Sequence, residues 1–237
     1  MLQLENVSVR FGGLTAVNQV SLSIGSGDVV GLVGANGAGK TTLFNAISGL
    51  VRPTSGKILF NGQDVLRAPM YQRARMGIGR TFQIPQPMHE LTVRENLLVA
   101  QRFGTGRVDQ RRLDEILAFT SLSAKAGADA ATGLALTELK ALEVAKALAT
   151  DPKLLLLDEV LAGLETYGKR HFMNMLKDLH QQFRVGIVII EHDIETISEL
   201  CQRVAVLNFG QMIAEGTPDE VFRNPAVMES YTGAVHA

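Results

Sequence analysis

Val29-Val30-Gly31-Leu32-Val33-Gly34-Ala35-Asn36-Gly37-Ala38-Gly39-Lys40-Thr41-Thr42-Leu43-Phe44 is the stretch whose reading decides the fold. Its first five residues are a short apolar run, the mark of a buried strand, and from Thr42 to Ile47 apolar residues recur at helical spacing. Between them lies G-x-x-x-x-G-K-[ST], framed by strand and helix as that pattern requires. Glycines let backbone N–H groups curl around phosphate oxygens, and the dipole of the following helix favours negative charge there. The framing separates this stretch from a glycine-rich turn that binds nothing. Gly34, Ala35, Asn36, Gly37, Ala38, Gly39, Lys40, Thr41 and Thr42 are the candidate nucleotide-binding residues. Lys40 is expected to reach the β- and γ-phosphates of ATP, and the Thr41 hydroxyl to hold Mg2+.

A P-loop needs carboxylates, and the chain supplies them after a second apolar strand. Leu154-Leu155-Leu156-Leu157 runs into Asp158-Glu159. Asp158 is the candidate Mg2+ ligand, direct or through a water, and Glu159 the group that polarises the attacking water. Carboxylates that merely cap a strand end are common in isolation. A pair just past a buried strand, in a chain that already has a P-loop, reads as catalytic. His192, within Glu191-His192-Asp193, follows the strand Ile187–Ile190. A histidine at a sheet's C-terminal edge can hydrogen-bond a γ-phosphate and the water. Gln83 ends a short strand read over 79–83 and can sense both metal and water. Phe11, read in the turn after the first strand, is either an aromatic packed on its neighbours or a platform for a nucleotide base.

Working outward, residues 1–33 read as β-rich, with strands over Leu2–Val9, Val17–Ile24 and Val29–Val33. A strand over Lys57–Phe60 meets a hairpin turn at Asn61-Gly62. Residues 65–78 read as a helix, and Ile84-Pro85-Gln86-Pro87 breaks any regular element. Helical periodicity runs from Leu91 to about Leu148, broken near Phe103–Gly106. A helix over 167–183, the strand 187–190 and a short helix through Leu200 follow. The hairpin Ala205–Leu207/Met212–Ala214 turns at Phe209-Gly210, and Thr217 caps a last helical stretch. Strands alternating with helices define an α/β chain with a mainly parallel, RecA-like P-loop NTPase core. An antiparallel β subdomain precedes that core and a helical subdomain is inserted in it. The expected organisation is one domain over 1–237, with 1–83 and 151–237 as the nucleotide-binding core and 84–150 as the helical insertion.

Composition narrows the setting. A net charge of −1 advertises no general affinity for nucleic acid or anionic lipid. Cys201 is the only cysteine, so no internal disulfide forms, and no signal peptide or long apolar run is read. The expected location is cytoplasmic, with peripheral attachment to the membrane through a partner.

Those elements in that order resemble the ATP-binding subunits of ABC transporters over essentially the whole chain. The resemblance implies that Gly34–Thr42 is Walker A, Gln83 the Q-loop residue, Asp158 the Walker B aspartate and Glu159 the catalytic glutamate. It further implies that Ala162-Gly163-Leu164-Glu165 is the D-loop, His192 the switch histidine and Phe11 the base-stacking aromatic. ATP and Mg2+ are the implied ligands. A second ABC ATPase subunit, transmembrane permease subunits and, indirectly, a periplasmic solute-binding protein are the implied partners; nucleic acid is not. Within the family, Gly77–Gln83, Leu91–Leu97, Glu191-His192-Asp193 and the ending from Glu215 to Tyr231 resemble branched-chain amino acid importer subunits. Lipopolysaccharide-exporter ATPases share several of these features. A soluble ABC-type ATPase acting on ribosomes or DNA usually carries two cassettes, a coiled coil or a zinc insertion. A P-loop kinase needs an arginine-rich lid. Neither set of features is read here.

Three departures stand out. The family signature Leu-Ser-Gly-Gly-Gln is replaced by Leu134-Ala135-Leu136-Thr137-Glu138, Val160 follows Walker B in place of proline, and Glu165 stands for the D-loop aspartate. A cassette that keeps Lys40, Glu159 and His192 but loses its signature implies a heterodimer rather than a homodimer.

Overall fold

The computed structural model describes residues 1–232. Along the chain run β1 (Leu2–Phe11), β2 (Leu14–Ile24), β3 (Val29–Val33), α1 (Lys40–Ser48), β4 (Ser55–Phe60), β5 (Gln63–Asp64), α2 (Met70–Met76) and β6 (Ile78–Arg80). Then come α3 (Val93–Thr105), α4 (Gln110–Phe119), α5 (Leu136–Ala149), β7 (Leu154–Asp158), α6 (Thr166–Phe183) and β8 (Gly186–Ile190). The last elements are α7 (Ile194–Leu200), β9 (Arg203–Asn208), β10 (Gln211–Gly216), α8 (Pro218–Phe222) and α9 (Pro225–Thr232). By their contacts these form two compact units, Met1–Arg73 with the chain from Gly186 onward, and Ala74–Val185.

In the first unit, β1 lies between β2 and β4 in an antiparallel sheet ordered β2-β1-β4-β5. Leu2, Leu4, Val7 and Val9 of β1 are buried, and Asn6 interrupts the alternation with φ 49°. Its N–H donates to Ser21 Oγ at 2.9 Å, which keeps the bulged residue's polar group satisfied. The second sheet of this unit follows the order β10-β9-β3-β8, with β3 parallel to both β8 and β9. Every residue of β3 and β8 is buried, as an unbroken apolar run requires when both faces are covered. Helix α1 buries Leu43, Phe44 and Ile47, each such side chain contributing about 1.5–3 kcal/mol of transfer free energy. Helix α7 lies close on β3. A Cβ at Gly31 would stand 2.9 Å from Ile197, so only glycine admits that helix, and Cys201 Sγ sits beside the same point.

Arg73 explains a further part of this unit. It is 1% exposed, and its guanidinium donates to the carbonyls of Ala46 and Ile47 at 2.7 and 2.8 Å and of Ala68 at 2.8 Å. It thereby satisfies orphan carbonyls at the C-terminus of α1, where cations are favoured. Burial, opposed by Asp64, brings its pKa down to about 10.

In the second unit, β6 and β7 pair in parallel with Ile78 opposite Leu154 and Arg80 opposite Leu156. Helices α3, α4 and α5 pack together on Leu97, Leu113, Ile116, Leu142 and Leu148, all buried. Phe119 meets Phe183 edge to face at 4.9 Å, and Arg112 lies over the Phe183 ring.

Several elements are shorter or longer than their sequence signals. The helix read over 65–78 is only Met70–Met76. Asp64 Oδ1 accepts from Leu66 N–H at 2.8 Å, a side-chain turn that competes with helix, and Pro69 lacks the N–H an extended helix needs. The helical stretch read over 91–148 is three α-helices, with a segment from 120 to 135 that is irregular but for one turn of 3-10 helix over Ser123–Lys125. There Asp129 Oδ1 accepts from the N–H groups of Ala131 and Thr132 at 3.0 and 2.8 Å. The strand read over 79–83 is Ile78–Arg80. Phe11 is the last residue of β1, opposite Leu14, rather than part of the turn that follows. Thr217 does cap α8, in a reciprocal pair with Glu220.

Candidate functional site

In the first unit the P-loop leaves the C-terminal end of β3, and Glu191-His192-Asp193 leaves the same end of its parallel neighbour β8. Crevices at this edge are where open α/β sheets bind ligands. Gly34 has φ 146°, and a Cβ there would come 2.1 Å from the Leu207 carbonyl oxygen, so no other residue fits. The loop is sewn from behind by the β9–β10 turn, where Gly210 N–H donates to the Ala38 oxygen at 2.9 Å. Lys40 is 6% exposed, and its Nζ donates to the carbonyls of Gly34 and Ala35 at 2.7 and 3.0 Å. The ammonium is thus fixed over the loop's concave side, the position from which a phosphate would be met. Thr41 is exposed in the first turn of α1 and Thr42 half-buried beside it.

His192 is exposed on a turn held by Asp193. Asp193 accepts from Glu195 N–H at 3.1 Å and from the Thr196 hydroxyl at 2.6 Å, a cap that sets the direction of α7. Phe11, at the end of β1, is 50% exposed. Walker A, His192 and Phe11 therefore all lie in this unit.

Gln83, Asp158 and Glu159 lie in the second unit, at the C-terminal end of the parallel pair β6 and β7. Gln83 Nε2 donates to Glu159 Oε2 at 2.6 Å, so the structure brings these two together. Glu159 has φ 49°, in the left-handed region that non-glycine residues rarely occupy. Strain of about 1–3 kcal/mol persists where the surroundings impose it. Here buried Lys140 of α5 imposes it, donating from Nζ to the Glu159 carbonyl at 2.9 Å. Asp158 is 2% exposed, with Oδ2 3.2 Å from Arg80 Nη2. Burial lowers the pKa of Arg80, and Asp158 offsets part of that by its charge and hydrogen bond. Thr81 adds two backbone links, its N–H donating to the Leu156 oxygen at 3.0 Å and its hydroxyl accepting from Asp158 N–H at 3.1 Å.

Lys140, Arg80 and Thr81 are functional neighbours that the sequence reading passed over. Their signal was present: a charged residue between Gly79 and Thr81 in a buried strand, and a lysine on the apolar face of a helix, each demand a partner inside.

Helix α5 begins at Leu136 with Ala135 as its N-cap. The signature-replacing residues thus occupy a helix N-terminus. Glu138 folds back so that Oε2 accepts from Ala135 N–H at 2.8 Å, while its other oxygen lies 3.9 Å from Lys125. The segment after Gln83 is tethered rather than loose. Gln86 N–H donates to Glu143 at 2.9 Å, Lys146 donates to the Gln86 oxygen at 2.6 Å, and Met88 N–H donates to buried Asn96 at 2.8 Å. Ile84 stands 70% exposed, whereas Phe82, Pro85, Pro87, Met88 and Leu91 are half-buried.

The donor set can be tested against the metal that the motif implies. Thr41 in the first unit carries a hydroxyl and Asp158 in the second a carboxylate, each an oxygen donor of the kind a hard cation takes. Among the described residues no group of three or more His, Cys, Asp or Glu gathers into a metal cage. Mg2+, the cation the motif implies, keeps waters and substrate phosphates as ligands and takes only one or two from protein.

A P-loop on a parallel strand, with a carboxylate pair and a histidine at strand ends, defines a P-loop nucleotide hydrolase. The family profile described as ABC transporter matches residues 17–162, and that for the branched-chain amino acid ATP-binding cassette transporter matches residues 211–237. The high-affinity branched-chain amino acid transport ATP-binding protein LivG of Escherichia coli K12 is 36% identical over 98% of this chain and 98% of its own. The lipopolysaccharide export system ATP-binding protein LptB of Haemophilus influenzae is 34% identical, covering 98% of this chain and 97% of its own. The crystal structure of MJ1267, an ATP-binding cassette of an ABC transporter in its ADP conformation, superposes with a TM-score of 0.88 at 31% identity, over 98% of each chain. The chain belongs to the ATP-binding subunits of ABC transporters. It has the ABC ATPase fold, and it is an ATP-binding protein and ATP hydrolase of that family. Among the described residues no helix is long and apolar enough to cross a membrane.

Proposed function

We propose that this chain is the peripheral, cytoplasmic motor of an importer for branched-chain amino acids or related small polar solutes. The match of residues 211–237 to the branched-chain amino acid cassette carries the solute class, since that segment lies outside the part shared with ABC ATPases at large. Lipopolysaccharide export is the second reading, supported by the likeness to LptB. The test is reconstitution with the permease and solute-binding protein encoded beside this gene. Leucine, isoleucine or valine should stimulate ATP hydrolysis and be taken up. Stimulation by lipopolysaccharide, or by no small polar solute, would overturn the assignment.

The roles follow the chemistry of each residue. The backbone N–H groups of residues 34–42 and the Lys40 ammonium hold the triphosphate, and Phe11 offers a face to the base. Thr41 and Asp158 would supply the protein oxygens for Mg2+, and Gln83 would sense the metal and the attacking water. Mg2+, when bound, neutralises charge on the phosphates. Glu159 takes a proton from the attacking water, and His192 donates a hydrogen bond that orients the γ-phosphate. Exposed Ile84, on a segment tethered to α5, faces a permease helix. Crosslinks from positions 84–91 should reach the membrane subunit, and their complete absence would remove that contact from the proposal.

The same reading makes this chain half of a heterodimer. In the family, a signature presents a serine hydroxyl and glycine backbone to the γ-phosphate bound by the opposite cassette. Here Ala135 has no hydroxyl, Leu136 and Thr137 carry side chains, and Glu138 already satisfies the helix terminus with a carboxylate. A partner cassette with an intact signature completes the site that uses this chain's Lys40, Glu159 and His192.

A further inference from the structure

We infer that Arg80 is a positioning residue for the metal-binding carboxylate, clamping Asp158 so that it is aimed before nucleotide and metal arrive. The inference rests on the proposed role of Asp158 as an Mg2+ ligand. The observations behind it belong to one unit and one strand pair. Past the last ladder pair, Arg80 opposite Leu156, the two chains stay joined residue by residue. Arg80 Nη2 holds Asp158 Oδ2 at 3.2 Å, the Thr81 hydroxyl accepts from Asp158 N–H at 3.1 Å, and Gln83 Nε2 holds Glu159 Oε2 at 2.6 Å. Each of the two acidic residues is therefore gripped by a side chain from 80–83.

Burial makes the first grip consequential. The Arg80 and Asp158 side chains are each 3% exposed, so water screens neither charge. A buried carboxylate needs a counterion, and removing one partner of a buried pair leaves the other uncompensated. The planar guanidinium also fixes direction, which a flexible ammonium does less well. One face of the guanidinium lies over the Phe82 ring, whose centroid is 5.0 Å from the guanidinium carbon, while its edge meets Asp158. Arg80 engages Oδ2, so the guanidinium sets the direction of the whole carboxylate. The opposing effect is repulsion between the guanidinium and Mg2+. If repulsion dominated, losing Arg80 would tighten metal binding; if aiming dominates, it weakens it. The Phe82 ring over its face and the carboxylate on its edge hold the guanidinium in one direction, which favours aiming.

The experiment measures Mn2+ binding by electron paramagnetic resonance, with the full chain saturated by ADP, so the readout is independent of turnover. ADP affinity without metal is measured in EDTA. Arg80→Met should weaken Mn2+ at least tenfold and change metal-free ADP affinity less than twofold. Arg80→Lys, which keeps charge without the fork, should recover part of the loss and remain two- to fivefold weaker than the parent. Thr81→Val, nearly isosteric, should weaken Mn2+ by a smaller factor. Should Arg80→Met fail to fold by circular dichroism, the lysine and valine variants decide: parental Mn2+ affinity in both overturns the proposal. Unchanged or tighter Mn2+ binding in Arg80→Met overturns it as well. Asp158→Asn separates the two layers of the argument. If it loses Mn2+ while Arg80→Met does not, Asp158 is the ligand and Arg80 plays no part in aiming it. If Asp158→Asn binds Mn2+ like the parent, the metal role of Asp158 fails and the proposal falls with it.

Discussion

Glu159 sits at φ 49° with its carbonyl pinned by Lys140 and its carboxylate held by Gln83. A residue constrained at both its backbone and its side chain is poised rather than mobile. Glu159→Gln should leave ATP binding intact and slow hydrolysis in the assembled transporter by at least about a hundredfold, the usual scale for losing an acid–base group. Lys40→Ala should instead weaken nucleotide binding itself, measured by equilibrium titration, because it removes the ammonium that spans the loop. Parental turnover by the glutamine variant would sink the catalytic assignment. At this scale the sequence reading located the P-loop, Asp158-Glu159 and His192, each at the end of an apolar run, and the structure places each at the C-terminal end of a strand. Arg80 and Lys140 signalled only that each needs an internal partner and Thr81 signalled nothing, because the groups they meet are set by pairing between segments far apart in the chain. No local spacing encodes which carboxylate Arg80 meets.

Among the elements, α3 shows how a local signal becomes a boundary. Thr92 and Glu95 form a reciprocal cap, with Glu95 N–H donating to Thr92 Oγ1 at 3.2 Å and Thr92 N–H donating to Glu95 Oε2 at 2.8 Å. Thr92→Ala should cost about 1 kcal/mol, the typical loss for an N-cap hydroxyl, read from urea unfolding. The backbone and side-chain hydrogen bonds of Thr92 hold the Glu95 carboxyl below its ordinary value of 4.5. A carboxylate with a depressed folded-state pKa stabilises fully above the unfolded value and loses that contribution as pH falls through the folded one. Hydrogen exchange in the first turn of α3 should therefore accelerate relative to the helix centre once the pH drops below about 4.5, and Thr92→Ala should abolish the difference. Such caps are readable because donor and acceptor lie three residues apart. The gap between α4 and α5 was harder to read. From 120 to 135 the apolar residues Leu122, Ala124, Ala126, Ala128 and Ala130 recur at every second position, and Asp129 binds neighbouring N–H groups, so the helical reading of 91–148 does not carry through this stretch. Periodicity reports which residues are buried, not whether the backbone between them is helical.

For the molecule as a whole, the degenerate end of α5 separates two assemblies that share one fold. If a partner supplies the intact signature, Glu159→Gln should remove most ATPase activity of the complex and the matching change in the partner only a little. Steady-state rates of the two variants, each in the otherwise native complex, decide it. Cooperative hydrolysis by this chain alone, at the rate of the full transporter, would show that Ala135–Glu138 works as a signature and that two copies suffice. The fold class was legible from strand and helix alternation; the identity of the second cassette is not, because it depends on residues another chain carries.

The packing of Cys201 against β3 has a use of its own. It is the only cysteine of the chain, 6% exposed, and burial pushes its thiol up to about 12. Only an exposed thiolate reacts with a disulfide reagent, so the folded form is silent and labelling counts openings of the nucleotide-binding unit. The molecule thus carries its own clock, with no label to engineer. ATP, which binds the native form, should slow the clock in proportion to 1 + [ATP]/Kd wherever opening and closing outpace the reagent. Lys40→Ala should tick at the same speed with or without nucleotide.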